Sequence, residues 1–205
     1  MITVFGSLNV DYVFQVAQLP APGETVLAAN MEVLPGGKGG NQALAAARAG
    51  AKVHMVGAVG KDGLGDIAMA GLIAAGVDTS AVAQNLKPTG TAAINVDSLG
   101  ENAITVSSGA NLEATGKSLD ASQLNSQTIL LLQMEVSMSA MADLIQRCRD
   151  VVANSVWNLA PMQSIELAVL KQVDYLIVNE GELAQLHFEL FNGSNSTDSS
   201  STSTE

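Results

Sequence analysis

The sequence predicts an α/β protein built on a mainly parallel sheet flanked by helices, with a smaller β element. Short apolar runs, Ile2 to Phe5, Lys52 to Val59 and Thr128 to Met134, are separated by stretches with helical signatures. Strand alternating with helix is what a parallel sheet with crossover helices requires. The first two runs open into polar or glycine-rich clusters, Gly6-Ser7 and Gly60-Lys61-Asp62, the punctuation expected at strand ends. Two other stretches are β-rich without helices: Tyr12 to Val16 with Thr25 to Val33 around Pro20-Ala21-Pro22-Gly23, and Thr89 to Val96 with Asn102 to Val106 around Ser98-Leu99-Gly100-Glu101. The second pair reads as a hairpin.

The remaining elements follow in order. After Val59 a turn through Gly63 and Asp66 leads into a helix ending near Gly76, a residue suited to a left-handed helix stop. Ala140 to Val152 is amphipathic and holds the single cysteine, Cys148, most simply a small core residue. Ser155 to Leu159 and Asp174 to Val178 are further strands around a helix beginning near Ser164.

The chain is organised around Pro35-Gly36-Gly37-Lys38-Gly39-Gly40-Asn41-Gln42, which runs into a helix over Asn41 to Ala49 stopped by Gly50. Glycines permit positive φ and close approach to a ligand. A glycine turn feeding a helix N-terminus is expected to aim free N–H groups at a polar or anionic ligand, beside the Lys38 cation and the Asn41 amide. As plain sequence, a tight turn before an alanine-rich packing helix accounts for the stretch equally well. The phosphate-loop pattern G-x-x-x-x-G-K-[ST] fails, because Glu32 stands where its first glycine belongs and Gly39 follows the lysine. A G-x-G-x-x-A at Gly63, Gly65 and Ala68 has no acidic residue about 20 positions on, so a dinucleotide fold is disfavoured.

A net charge of −11 argues against nucleic acid and anionic membrane partners, which need basic faces. One cysteine excludes an internal disulfide and fits a reducing compartment. With no basic leader and no apolar run long enough to span a bilayer, the expected location is the cytoplasm.

Polar residues fall where open α/β sheets bind ligands, at the carboxyl ends of strands. Asn9 and Asp11 follow the first strand, an amide and a carboxylate suited to hydroxyl groups, although capping a turn explains them as well. Glu135 follows Met134 directly, either at a ligand or as a helix-start acid. Asn179-Glu180-Gly181-Glu182 follows the last strand, and an acidic helix start covers that stretch too.

Gly6-Ser7-Leu8-Asn9-Val10-Asp11 together with Gly36-Gly37-Lys38-Gly39-Gly40-Asn41-Gln42-Ala43 resembles the first signature of the ribokinase-like carbohydrate kinases, the PfkB family, and within it the ribokinase branch. The resemblance covers about residues 2–187, with Gly40 where that branch often has alanine. It implies that residues 1–191 form a ribokinase-like domain whose β lid, from about 12–34 and 91–106, covers the sugar and supplies a homodimer contact. It assigns Asn9, Asp11, Gly37, Lys38, Asn41 and Glu135 to sugar binding. Asn179 and Glu182 match an N-x-x-E motif, Asn179 toward the phosphates of ATP and Glu182 toward Mg2+. The implied activity is ATP-dependent phosphorylation of a hydroxyl on a pentose such as D-ribose.

The sequence departs from the family after Phe191, where residues 192–205 become rich in Ser and Thr, a composition expected to be disordered. The chain thus resembles roughly the first two-thirds of the family fold. The family's adenine-binding elements, monovalent-cation loop and G-A-G-D signature, with its general base and anion hole, have no match here. The expectation is a truncated kinase with an exposed apolar sheet edge; the alternative is an inactive sugar-binding or regulatory module.

Overall fold

The structure, a computed structural model, describes residues 1–192. Six parallel strands form the main sheet: β1 (Ile2–Phe5), β4 (Val53–Gly60), β5 (Asp78–Asn85), β8 (Ile129–Leu132), β9 (Asn154–Asn158) and β10 (Tyr175–Ile177). Their order is β10-β9-β8-β1-β4-β5. A second sheet, ordered β3-β2-β6-β7, joins β2 (Asn9–Val16), β3 (Ala28–Gly36), β6 (Gly90–Val96) and β7 (Asn102–Ser107). It is mixed: β2 runs parallel to β6 and antiparallel to β3.

The period-two alternation of the strands divides the core into two layers. Val4, Val53 and Met55 face Ala43 of α1 (Lys38–Arg48) and Ala68 and Leu72 of α2 (Gly63–Ala74). Phe5, Leu130, Leu132 and Trp157 face Met141, Leu144, Ile145 and Cys148 of α3 (Met138–Asp150). Strands buried on both faces read as continuous apolar runs, which is why β1 and β4 were visible in sequence; β8 buries Leu130 and Leu132 on one face and is apolar on the other as well. Burial, with Asp174 adding to it, pushes the Cys148 thiol up to about 11, so it stays protonated in the core.

Several expectations are corrected. Strand β5 has no counterpart in the sequence reading, because its composition, DTSAVAQN, is that of a half-exposed edge strand. The helix expected near Ser164 is a single turn, α4 (Leu167–Leu170). The expected tail lies outside the described residues except for Asn192, the last residue of α5 (Glu180–Asn192). On the edge strand β10, Tyr175 is 60% and Ile177 52% exposed; both share a face with Val156 and Asn158, and Ile177 lines an open cleft with them and with Gln42 and Ala45 of α1.

The two sheets meet at Thr89, just before β6. Its hydroxyl accepts from the Gly60 N–H at 2.9 Å and donates to Asp62 Oδ1 at 2.6 Å, while its own N–H donates to Asp62 Oδ2 at 2.9 Å. Asp62 also caps α2 by accepting from the Gly65 N–H. One carboxylate therefore fixes a helix start and the root of the smaller sheet. The Thr89 bonds hold its pKa below the ordinary 3.8. That contribution is fully present above pH 3.8 and is lost as pH falls through the lower folded value. Asp62→Ala should cost about 1 kcal/mol at neutral pH, the usual worth of an N-cap, and should flatten the acid limb of stability; urea titrations across pH 2–6 measure both.

Candidate functional site

The chain leaves β1 toward β4 on one side and returns to β8 on the other, so a crevice opens between β1 and β8 at the carboxyl ends of the strands. This reversal is where open α/β sheets accept ligands. Ser7, just past β1, and Glu135, just past β8, close its floor: the Ser7 hydroxyl donates to Glu135 Oε2 at 2.5 Å. The Lys38 N–H donates to the same oxygen at 3.0 Å, and Lys38 Nζ stands 3.1 Å from Glu135 Oε1. Glu135 thus has a fixed role ahead of α3, whose N-cap is Ser137.

These bonds correct the picture of a helix N-terminus aimed at a ligand. The helix begins at Lys38, three residues earlier than expected. Its first N–H groups are spent on the protein: Lys38 on Glu135, Gly39 on Ser7 Oγ at 3.3 Å and Gly40 on the Ser7 carbonyl at 2.9 Å. Of the four glycines, Gly37 alone has positive φ, 86°. Gly39 is required by close approach, since a Cβ there would come within 2.6 Å of the Gly6 and Ser7 backbone. At Gly36 a Cβ would occupy the place of the Asp11 carboxyl.

Asn9 and Asp11 are not turn residues; both lie in β2. Burial, then repulsion from Glu135, raises the Asp11 pKa above 3.8, with Lys38 opposing the shift. Asn9 is 3% exposed, and its Oδ1 accepts from Asn111 Nδ2 at 2.7 Å. The structure therefore gathers Asn9, Asp11, Gly37, Lys38 and Glu135. Asn41 is exposed and lines an adjoining small cleft with Pro35, Gly36, Ala68 and Leu72, Gly36 being the residue that abuts the Asp11 carboxyl.

Asn179 and Glu182 are at the carboxyl end of β10, three strands from β1 and so about 14 Å across the sheet at the usual strand spacing. They form a reciprocal cap. The Glu182 N–H donates to Asn179 Oδ1 at 2.8 Å, and the Asn179 N–H to Glu182 Oε2 at 2.9 Å. This is the arrangement of a capping box, and it leaves Glu182 Oε1 without a partner among the described residues.

Three residues at the crevice were missed as such. Ser7 and Asn111 bond to the main chain and side chains around it, and Gln133 Nε2 donates to Gln42 Oε1 at 2.7 Å, tying the end of β8 to α1. Gln133 carried a signal, being the one polar residue within an apolar strand run; a loop serine or asparagine carries none.

The fold and this crevice define a class, a mainly parallel α/β protein with its polar residues gathered at the switch point where a small β sheet joins. The chain belongs to the pfkB family of carbohydrate kinases, whose family model matches residues 1–199. It is 36% identical over 186 residues to ribokinase of Haemophilus influenzae, covering 88% of this chain and 60% of that one. To ribokinase of Bacillus subtilis it is 36% identical over 192 residues, 92% of this chain and 65% of the relative. The chain thus spans less than two-thirds of these relatives. Among solved structures, ribokinase from Thermotoga maritima superposes with a TM-score of 0.84 at 34% identity, covering 94% of this chain and 63% of its own. Arabidopsis thaliana ribokinase, solved with ribose and ATP, superposes with a TM-score of 0.75 at 28% identity, covering 90% and 62%.

Glu135→Ala leaves the Ser7 hydroxyl and the Lys38 N–H without their acceptor. It should lower stability by about 1–3 kcal/mol and speed hydrogen exchange at the Lys38 amide, while exchange in β4 keeps its rank. An unchanged Lys38 rate would show that Glu135 does not hold the start of α1.

Proposed function

We propose that the chain holds a sugar in the β1/β8 crevice and serves ATP-dependent phosphoryl transfer to a hydroxyl of a pentose, D-ribose first, in the cytoplasm. The observation that carries this reading is the convergence of Asn9, Asp11, Lys38 and Glu135 beside the root of the smaller sheet. The Asp11 carboxylate accepts hydroxyl protons and Asn9 offers an amide. Lys38 offsets the charge of Glu135, so two carboxylates share one crevice without both being exposed to a neutral ligand unpaired. Asn41 completes the set from the first turn of α1.

The Arabidopsis relative supports ribose and ATP as ligands. Mg2+ supplies charge neutralisation on phosphoryl oxygens when bound, and it is commonly held by one or two carboxylates with water and phosphate. Glu182 Oε1 fits that role, three strands along the sheet from β1, with the Asn179 amide beside it toward the phosphates. Among the described residues no three His, Cys, Asp or Glu side chains cluster as a metal site; phosphate oxygens and water would supply the remaining ligands. No G-A-G-D run occurs in the 205 residues, and the proton acceptor for the attacking hydroxyl is not assigned to any residue of this chain. No helix among the described residues is long and apolar enough to cross a membrane.

The smaller sheet serves as lid and as the contact between two copies. By register, Leu34, Val106 and Ile104 lie on the same face as Asp11, and they are 43%, 47% and 54% exposed. Sedimentation should show a dimer that Ile104→Asp dissociates.

Calorimetric titration with D-ribose, followed by ATP and Mg2+ with an ADP-release assay, tests the reading. Ribose should bind, and Asp11→Ala should weaken it about 10- to 100-fold, the worth of a charged hydrogen bond. Because the Asp11 pKa is raised, affinity should fall with decreasing pH before an ordinary carboxylate would titrate, and Asp11→Asn should remove that dependence. Absence of ribose binding overturns the proposal.

A further inference from the structure

Asn111 sits in the 3₁₀ turn Gly109–Glu113, 1% exposed, and makes three hydrogen bonds to Leu8 and Asn9, where the chain enters β2. Its Oδ1 accepts from the Leu8 N–H at 2.9 Å; its Nδ2 donates to the Leu8 carbonyl at 3.3 Å and to Asn9 Oδ1 at 2.7 Å. The two bonds to Leu8 read the asparagine's own orientation from the main chain, because only one face of an amide can accept from an N–H while the other donates to a carbonyl. That orientation then dictates the orientation of Asn9. With its oxygen occupied by Asn111, Asn9 turns its Nδ2 away, and this group has no partner among the described residues and is not sealed from solvent.

We infer that Asn111 is a positioning residue that sets the polarity of Asn9, making it a donor of two N–H groups to the crevice rather than an acceptor. The inference rests on the sugar-binding reading for its consequence, though not for its geometry. The division of labour follows chemically. Asp11, when ionised, only accepts; Asn9, so held, only donates. Neighbouring hydroxyls of a polyol can then be bound with one giving its proton to Asp11 and the other receiving a hydrogen from Asn9, and a ligand that offers only donors at the second position is rejected. Gly90, the first residue of β6, belongs to the same device. A Cβ there would overlap both Asn9 Oδ1 and Asn111 Nδ2, so the glycine is needed for the amides to meet, and the root of the lid is packed directly on the pair.

The variant that isolates this role is Asn111→Asp. The carboxylate still accepts from the Leu8 N–H but cannot donate, so Asn9 must rotate its amide and give an N–H to it, leaving Oδ1 toward the crevice. Four forms are compared as the full chain: the unaltered protein, N111D, N9A and N9A/N111D. In the unaltered protein, the side-chain amide protons of Asn111 should exchange slowly and those of Asn9 rapidly. In N111D one Asn9 amide proton should shift downfield and exchange more slowly. D-ribose affinity by calorimetry should fall about 10- to 100-fold in N111D, the worth of a lost or opposed hydrogen bond. It should fall no further when N111D is added to N9A, because a residue acting through Asn9 has nothing left to act on.

Rapid exchange at Asn111 with slow exchange at Asn9 in the unaltered protein overturns the assignment without any variant, so a misfolded N111D does not shelter it. Additive losses in the double variant also overturn it, since they would mean that Asn111 supports the fold at large. Should the unaltered chain bind no ribose, the sugar reading falls, while the exchange measurements still decide whether Asn111 orients Asn9.

Discussion

Everything at the crevice depends on one carboxylate being shared. Glu135 receives a hydroxyl from the β1 loop and both a main-chain N–H and an ammonium from the start of α1. Three elements that are distant in sequence are thereby fixed to one another at the place where the sheet reverses its order. Without that acceptor, each donor would be left partly buried and unpaired, which costs more than the bond itself contributes. The same arrangement spends the negative charge of Glu135 on Lys38. It leaves Asp11, raised by burial and by the neighbouring carboxylate, as the less compensated of the two acids in the crevice.

The glycine stretch is a consequence of this packing more than of ligand approach. Gly39 lies against the Gly6 and Ser7 backbone and Gly36 yields its side-chain volume to Asp11, so the backbones of β1, β3 and α1 come closer than side chains would allow. Only Gly37 needs a left-handed conformation. A motif that reads as a flexible ligand loop is, in three dimensions, a close-packed junction in which the amides of Lys38, Gly39 and Gly40 are already paired.

Legibility of the fold tracked burial. Strands β1 and β4, covered on both faces, and β8, apolar on both, gave runs that could hardly be read otherwise, and the hairpins of the smaller sheet were marked by Pro, Gly and alternation. The edge strand β5 was invisible because it is rich in polar residues and none of its residues is fully buried. At the site, Asn9, Asp11, Lys38 and Glu135 were visible as polar residues at strand ends and through their resemblance to a family signature. Asn111 and Ser7 act by holding others, and that depends on contacts across 103 and 128 positions of sequence; no local pattern encodes such a pairing. Asn179 and Glu182 show the opposite problem, since the capping box they form is what a purely local reading of N-x-x-E also expects.

The buried thiol of Cys148 has a practical meaning. Alkylating reagents attack the thiolate, and a sulfur wholly enclosed by α3 and the sheet, with its ionisation pushed up to about 11, offers almost none. In the closed molecule this cysteine is therefore silent, and its labelling counts only those moments when the α3 layer lifts from the sheet. A single built-in probe of breathing thus lies beneath the layer that faces away from α1 and α2, and cysteines introduced on the smaller sheet could be tagged without touching it.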